Sequence, residues 1–365
     1  MLCQVSHADD RSIRYPFSGL LLAEEGRVTI LVFGSDIIPI DSEVGMPGKR
    51  SGTIEVGISS CLLGQKVRFD GGHKQDRYIK DILGAYFRFV PVCPELEVGM
   101  GVPREAVRLT GLPESPAMIG IKSGRDWTDN MNQYARKRVS QSDLAGLYGY
   151  ILKKDSPSCG MERVKVYEKS KMPVRSGRGL FAAALIDRFP LLPIEEEGRL
   201  NDPSIRENFI ERVFAYHRLR NLFERPHKRG DVVIFHSAHK LTLMAHSQKH
   251  YQVLGKMVAA IKDLRPAQFR DEYQTFFMEA LKIPATVKKN VNVLQHILGY
   301  FREKLSAPER ESVGEMIEDY RLGVVPLIVP ITIMRHYVKL LDISYIADQI
   351  YLNPHPKELM LRNHA

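Results

Sequence analysis

The spacing of apolar residues changes character near residue 200. Before that point, short apolar runs predict buried strands at 54–59, 87–92, 148–152 and 191–194. Segments with helical spacing separate these runs, at 76–86, 128–140 and 179–187. Strands that alternate with helices indicate an α/β domain with a mostly parallel sheet.

Beyond that point the apolar residues recur every three or four positions, as on amphipathic helices. Asp202 and Pro203 form an N-cap and first-turn pair that begins a helix ending near Glu224. The segment 226–230 reads as a linker. The same periodicity then predicts helices at 232–254, 256–261, 266–281, 284–304, 306–322, 327–341 and 342–351. The carboxyl-terminal part is therefore predicted to be an all-α domain.

The first 50 residues resemble neither region. A strand is predicted at 28–33, and the Gly-, Ser- and Pro-rich segment 42–53 is predicted to be a linker. One hypothesis is that the physiological chain starts at Met46. The predicted organisation is a poorly defined extension over 1–50, an α/β domain over 51–225 and an all-α domain over 226–365.

Composition narrows the class of protein. The 365 residues are 44% hydrophobic and 26% charged, as in ordinary globular proteins, and no apolar run reaches the ~18 residues that suggest a membrane span. There is no pattern of a secretory signal, and the four cysteines are too few for a disulfide scaffold, so a reducing, cytoplasmic location is expected.

Charge and motifs narrow the partners. A net charge of +9 favours a polyanionic partner such as nucleic acid, and a basic protein without such a partner is the equal alternative. The chain has no Gly-x4-Gly-Lys-Ser/Thr phosphate-binding motif, so ATP use is not predicted.

Three cysteines lie in loop-like sequence, each after a predicted strand. Cys61, Cys93 and Cys159 are flanked by glycine, proline and small polar residues, whereas Cys3 lies in the extension. Ligand sites of open α/β sheets gather at the carboxyl ends of strands, so these thiols are predicted to meet. Thiolates bind iron–sulfur clusters and zinc, and three of them leave one coordination position open. Free buried cysteines are the alternative, because no Cys-x-x-Cys spacing occurs.

The residues around these cysteines resemble a known family. The motifs are Ser-x-Cys-Leu-Leu-Gly at 59–64, Cys-Pro-Glu at 93–95 and Ser-Pro-Ser-Cys-Gly at 156–160. Over roughly 54–224 they resemble the thiouracil desulfidase (TudS) family, and 226–365 resembles the YbgA-like helical domain. The fusion is similar to RudS-type desulfidases, which convert 4-thiouridine in tRNA to uridine.

The resemblance implies a 4Fe–4S cluster on Cys61, Cys93 and Cys159, with one iron free to take sulfur from the substrate. Glu95 is the expected general acid or base, and Ser156 the hydroxyl that orients water or substrate. Their structural alternatives are a helix-start carboxylate and a loop-capping hydroxyl. Further residues expected to bind substrate are Ser60, Asp70, Arg104, Asp155 and Ser158. Asp155 and Ser158 are also alternatives to Ser156 in its role, and Asp70 and Arg104 have the alternative of structural partners within their loops.

Basic residues of the helical region are candidate tRNA contacts, and solvated helix surfaces are their ordinary alternative. The candidates are Lys240, Lys249, Lys256, Lys288 and Lys289, with Tyr251 and Tyr300 available for base stacking. Four histidines, His236, His239, His246 and His250, are expected to pack, to cap helices or to contact phosphates more than to bind metal.

The leading hypothesis is therefore a tRNA 4-thiouridine desulfidase. One alternative is the same chemistry on free thiouracil or another small thiolated base. The other alternative is a non-catalytic, metal-stabilised RNA-binding protein.

Overall fold

The structure, a computed structural model, describes residues 19–24, 27–32, 54–167 and 172–364. Strands β1 (Gly19–Glu24) and β2 (Arg27–Val32) pair in an antiparallel hairpin. Strand β2 matches the strand predicted at 28–33, and β1 was not predicted. The hairpin belongs to a unit separate from Gly52–Ala365. The predicted linker at 42–53, the Met46 hypothesis and Cys3 lie outside the described residues.

The described residues of the larger unit contain eight more strands, which form two sheets. They are β3 (Ile54–Ser59), β4 (Phe87–Val92), β5 (Val107–Leu112), β6 (Ser115–Gly120), β7 (Gly149–Leu152), β8 (Val164–Tyr167), β9 (Val174–Gly177) and β10 (Ile194–Glu196). The first sheet has the order β10-β7-β3-β4 and the second has the order β6-β5-β8-β9.

The first sheet is entirely parallel, which confirms the predicted α/β class. Every residue of β7 is buried and β3 is nearly so, as expected for a parallel sheet covered on both faces. In the register of β3 and β4, Ser59 pairs with Val92, so these two strands end side by side. The loops that follow them therefore begin at the same edge.

The second sheet is mixed and was not predicted. Strands β5 and β6 are antiparallel, β5 and β8 are parallel, and β8 and β9 are antiparallel. Leu109, Met118, Val164 and Val166 point into a core shared with the first sheet, and the alternate residues point outward. Such short strands carry only one to three apolar residues each, too few for a periodicity to stand out.

Twelve helices lie in the described residues. They are α1 (Pro94–Glu97), α2 (Thr128–Arg138), α3 (Ser142–Ala145), α4 (Leu180–Arg188), α5 (Pro203–Phe223), α6 (Arg229–His246), α7 (Gln248–Ala259), α8 (Pro266–Lys282), α9 (Val287–Tyr300), α10 (Ala307–Arg321), α11 (Ile328–Leu340) and α12 (Ser344–Ala347). The carboxyl-terminal part is helical, as predicted. None of the described helices has both the length and the apolarity needed to cross a membrane.

Some helix boundaries were wrong. The helix predicted at 76–86 is a π-helical turn, Tyr78–Ile82, followed by a 3-10 turn, Leu83–Ala85. The helix predicted at 232–254 is two helices, because Ser247 adopts an extended conformation and its side chain caps α7. Helix α6 begins at Arg229, inside the predicted linker.

Helix α5 belongs to both halves of the larger unit. Phe209, Ile210 and Val213 pack beneath the parallel sheet, and Ala215 and Leu219 pack in the helical core. The proposed domain boundary at residue 225 lies just beyond this shared helix and stays a prediction.

The carboxyl-terminal residues close over α5. Arg362 is buried and donates to the Glu207 carboxylate at 3.1 Å and to the Tyr351 carbonyl at 2.6 Å. Its guanidinium also lies 3.8 Å from the buried carboxylate of Glu211. One cation thus offsets two carboxylates of α5 that have little access to water.

We expect Arg362→Ala to lower the free energy of unfolding by about 3–5 kcal/mol, because it leaves buried carboxylates without their cation. The matched control is Arg321→Ala, which removes an exposed pair with Glu318 and should change the free energy of unfolding far less, because water screens that pair. Urea unfolding measures both. Equal losses in the two variants would contradict this role of Arg362.

Candidate functional site

The three loop cysteines line one cavity at the carboxyl edge of the parallel sheet. Cys61 lies in a 3-10 turn directly after β3, Cys93 lies between β4 and α1, and Cys159 lies in the loop between β7 and β8. All three are free of disulfides; Cys61 and Cys159 are buried and Cys93 is half-buried. The cavity has a volume of about 500 Å³. Three strand ends therefore deliver three thiols to one space.

Backbone hydrogen bonds fix the first two cysteines. The Cys61 carbonyl accepts the N–H groups of Gly64 at 3.3 Å and Lys74 at 2.9 Å. The Cys93 N–H donates to the Glu97 carboxylate at 3.1 Å, and the other oxygen of that carboxylate accepts the Tyr134 hydroxyl at 2.7 Å. Each thiol is thus anchored by a contact beyond its own strand.

The Cys159 loop is held against the start of α4. The N–H groups of Leu180 and Phe181 donate to the Pro157 and Ser158 carbonyls, both at 3.1 Å. These N–H groups lack partners within the helix, so the loop satisfies them. Gly179 allows this approach, because a Cβ there would lie 2.5 Å from the Ser158 carbonyl.

Glu95 is the centre of a polar network beside the thiols. One carboxylate oxygen accepts the Ser158 hydroxyl at 2.8 Å, and the other accepts Arg104 Nε at 3.1 Å and Nη2 at 2.6 Å. The Ser158 hydroxyl is also 3.6 Å from Cys159 Sγ and 3.0 Å from the Ser156 hydroxyl. Charge and hydrogen bonding therefore connect Arg104, Glu95 and the two serines to one thiol.

These contacts bear on the structural alternatives. The Glu95 carboxylate contacts Arg104 and Ser158, so it does more than begin α1. Ser156 does cap its loop, because its hydroxyl accepts the N–H groups of Ser158 at 3.3 Å and Cys159 at 3.1 Å. Ser158, which the sequence placed among several substrate contacts, is the serine that contacts Glu95.

The other predicted substrate contacts divide into two groups. Ser60 and Asp155 line the cavity, and Asp155 lies 3.6 Å from Arg175. Asp70 is outside the cavity lining, and its carboxylate accepts the Gly72 N–H at 3.0 Å. That hydrogen bond, aided by Arg68, lowers the pKa of Asp70. The contacts of Asp70 are those of a turn.

Burial opposes ionisation of all three thiols. It raises the pKa of Cys61 to about 11, and it raises the pKa of Cys93 and of Cys159 as well. Lys153 partly offsets this effect at Cys61. A bound cationic group would therefore be needed to favour the thiolate form of these buried cysteines.

Lys153 was not among the predicted site residues. It lines the cavity, its ammonium pairs with Glu197, and the Lys154 N–H donates to the same carboxylate at 2.7 Å. Glu197 directly follows β10, so the end of the fourth parallel strand also serves this site. The sequence signal that could have identified Lys153 was its position immediately after the strand predicted at 148–152.

The donor set fits a cluster better than a single ion. Within the described ranges, no three His, Cys, Asp or Glu side chains are placed to hold one metal ion. Three thiols from separate loops that line one cavity of about 500 Å³ instead suit a group several atoms across, such as an iron–sulfur cluster. Arg68 and Lys153 lower the pKa of Cys61 against the effect of burial, and both would offset thiolate charge.

Two family models match the chain. The 2-thiouracil desulfurase model matches residues 56–197, and a model of proteins of unknown function (DUF1722) matches 240–356. The uncharacterised protein YbgA of Escherichia coli (strain K12) is 34% identical over 161 residues, which are 43% of this chain and 94% of that protein. The uncharacterised protein YbbK of Bacillus subtilis (strain 168) is 32% identical over 108 residues, 28% of this chain and 71% of that protein.

The chain belongs to the 2-thiouracil desulfurase family. It joins this desulfurase domain, residues 56–197, to a YbgA-like region, residues 240–356. The resemblance inferred from the motifs is confirmed. Among solved structures, a [4Fe-4S]-dependent thiouracil desulfidase, TudS, is 29% identical and covers 41% of this chain and 95% of its own, with a TM-score of 0.34.

The five lysines that were predicted to contact tRNA all lie in the YbgA-like region, and their surroundings differ. Lys289 caps helix ends, because its ammonium donates to the His246 carbonyl at 2.7 Å and the Pro284 carbonyl at 3.1 Å. The Lys240 ammonium lies 5.6 Å from the Tyr345 ring centroid. The remaining candidates are exposed: Lys249, Lys256 and Lys288. Contact with RNA stays a prediction for all of them.

The four histidines of this region make packing and capping contacts. The His246 ring contacts the Ile283 carbonyl at 2.7 Å, and His236 contacts the Tyr273 hydroxyl at 3.1 Å. Burial lowers the pKa of His236 to about 4 and that of His239 to about 3. Burial therefore favours the neutral form of the His236 and His239 rings within the helical core.

The raised pKa of Cys61 predicts slow alkylation in the cluster-free protein. A shift from 9.0 to about 11 leaves about 100-fold less thiolate near neutral pH. Mass spectrometry of iodoacetamide labelling should show Cys61 reacting at least tenfold more slowly in the folded protein than in urea. The labelling rate should rise with pH until about pH 11. Equal rates for folded and unfolded protein would contradict this environment.

Proposed function

We propose that the protein is a 4Fe–4S-dependent desulfidase that converts 4-thiouridine in tRNA to uridine. The observation that carries the proposal is that three thiols and the Glu95–Ser158 pair share one cavity in a 2-thiouracil desulfurase domain. Within the described residues, that cavity is lined by no fourth cysteine. The thiol set therefore suits a cluster with one iron left for substrate.

Cys61, Cys93 and Cys159 would hold the cluster, which supplies a sulfur-accepting iron with an open coordination position. Arg68 and Lys153 offset the charge of the thiolates. Because both lie on the wall of the same cavity, they also favour a substrate that develops negative charge at its sulfur.

Glu95 has the proton-transfer role. Replacing a thiocarbonyl sulfur by oxygen consumes one water, whose protons must be accepted as the new bond to carbon forms. Arg104 occupies one oxygen of the Glu95 carboxylate, and the other oxygen is left for Ser158. The Ser158 hydroxyl thus links the carboxylate to the cavity, and Ser156 orients it from the other side at 3.0 Å.

A nucleotide within RNA is favoured over a free base by charge. Five exposed basic residues line the cavity: Lys74, Arg108, Lys154, Lys165 and Arg175. Phosphate groups provide the complementary charge, whereas free thiouracil carries none. Because tRNA is the substrate in this proposal, the protein acts in the cytoplasm. Free thiouracil is the second candidate, favoured by the family model.

The test is the 4-thiouridine content of purified tRNA after anaerobic incubation with the protein. We expect 4-thiouridine to fall and uridine to appear in equal amount, with a brown, iron-containing protein. Turnover of free thiouracil together with unchanged tRNA would favour the second candidate. A colourless zinc protein that binds tRNA without turnover would indicate the non-catalytic alternative.

Glu95→Gln should lower kcat by about 10²–10⁴-fold, because the amide cannot accept the proton. Iron content and visible absorption should stay at the level of the unchanged protein, since Glu95 is not a thiol ligand. The control is Glu114→Gln, at an exposed position outside the cavity lining. A kcat within threefold of that control would argue against Glu95 as the base.

A further inference from the structure

The outward face of the second sheet is cationic where it meets the cysteine cavity. Strands β5, β8 and β9 place Arg108, Lys165, Tyr167 and Arg175 on this surface, here called the cationic sheet face. Leu109, the residue that follows Arg108 in β5, is fully buried. The alternation of a half-buried strand therefore separates a core face from a charged one.

The cationic sheet face is joined directly to the cysteine loop. Strand β8 begins at Val164, five positions after Cys159, and a Cβ at Gly160 would lie 2.3 Å from Val164 Cγ2. The loop and the strand are therefore packed without a gap. Lys165 and Arg175 are register partners in β8 and β9, so their side chains emerge next to each other.

The chemistry of this face suits phosphate. The Arg108 guanidinium lies 5.1 Å from the Tyr167 ring centroid, an arrangement that restrains the guanidinium and leaves its N–H groups available to a ligand. Lys165 adds a point charge beside it. Arg175 lies 3.6 Å from Asp155, and both side chains are more than half exposed, so water screens this pair.

We propose that the cationic sheet face binds the phosphates of the RNA strand on either side of the thiolated uridine. This inference rests on the proposed function. The target base must leave its stack to reach a thiol-lined cavity, and the backbone next to it then passes over the cavity rim. Arg108, Lys165 and Arg175 stand on that rim, so substrate recognition extends into the desulfurase domain and is not confined to the helical lysines.

The test is the triple variant Arg108→Ala, Lys165→Ala, Arg175→Ala, assayed as the cluster-loaded full chain. Its substrates are tRNA, 4-thiouridine 5′-monophosphate and the 4-thiouridine nucleoside. We expect kcat/KM on tRNA, divided by kcat/KM on the nucleoside, to fall at least tenfold. The slope of log KM for tRNA against log salt should fall by about 0.7–0.9 per lost phosphate contact.

Two control variants distinguish the effect of this surface from a general effect of positive charge. Arg136→Ala, Lys137→Ala, Arg229→Ala removes the same charge at exposed positions outside the cavity lining, and should keep the substrate ratio and salt slope. Arg108→Lys, Arg175→Lys keeps the charge and should restore most of the salt slope. Iron content and melting temperature verify that each variant is folded and loaded.

The possible outcomes test the proposed function and the cationic sheet face separately. A loss on tRNA alone assigns the face to flanking phosphodiesters, and an equal loss on the monophosphate assigns it to the uridine's own phosphate. Unchanged ratio and salt slope in a variant that still desulfurates tRNA would overturn this inference alone. A wild-type protein that turns over the monophosphate but not tRNA would overturn the proposed function and, with it, the binding of RNA phosphates by this face.

Discussion

Parallel pairing of β3, β4 and β7 brings three loops to one edge of the sheet, and the candidate chemistry depends on that edge. Each loop leaves its strand beside the others because the registers align the strand ends. Three cysteines far apart in the chain consequently line one cavity. The same geometry positions Lys153 after β7 and Glu197 after β10. The ion pair between them therefore lies at the edge of the sheet where the thiols line the cavity.

That convergence creates an electrostatic problem that the surrounding residues address. Burial alone keeps the thiols protonated, as the raised pKa of each shows. Thiolate ligation therefore requires compensating positive charge, which a metal cluster and the nearby Arg68 and Lys153 would both contribute. The carboxylate of Glu95 adds to the rise in the pKa of Cys93 and Cys159, and Arg104 offsets its negative charge by pairing with it at 2.6 Å.

The helical half is part of the same folded unit. Helix α5 packs beneath the sheet and also in the helical core, and Arg362 closes over its buried carboxylates. Because α5 packs in both cores, it fixes the position of the helical surface relative to the desulfurase domain. If RNA contacts both the helical lysines and the cationic sheet face, α5 sets the distance between them.

Local pattern was enough for the parallel strands, most helices, the three cysteines and the family motifs, because those depend on residues close together in the chain. Tertiary structure alone decided which serine contacts Glu95, since Ser158 and Glu95 are brought together by strand order and loop path. It also placed Asp70 in a turn and Lys289 at a helix end. The second sheet escaped sequence analysis for the same reason: its short strands are defined by their partners, and only pairing shows which face carries Arg108, Lys165 and Arg175.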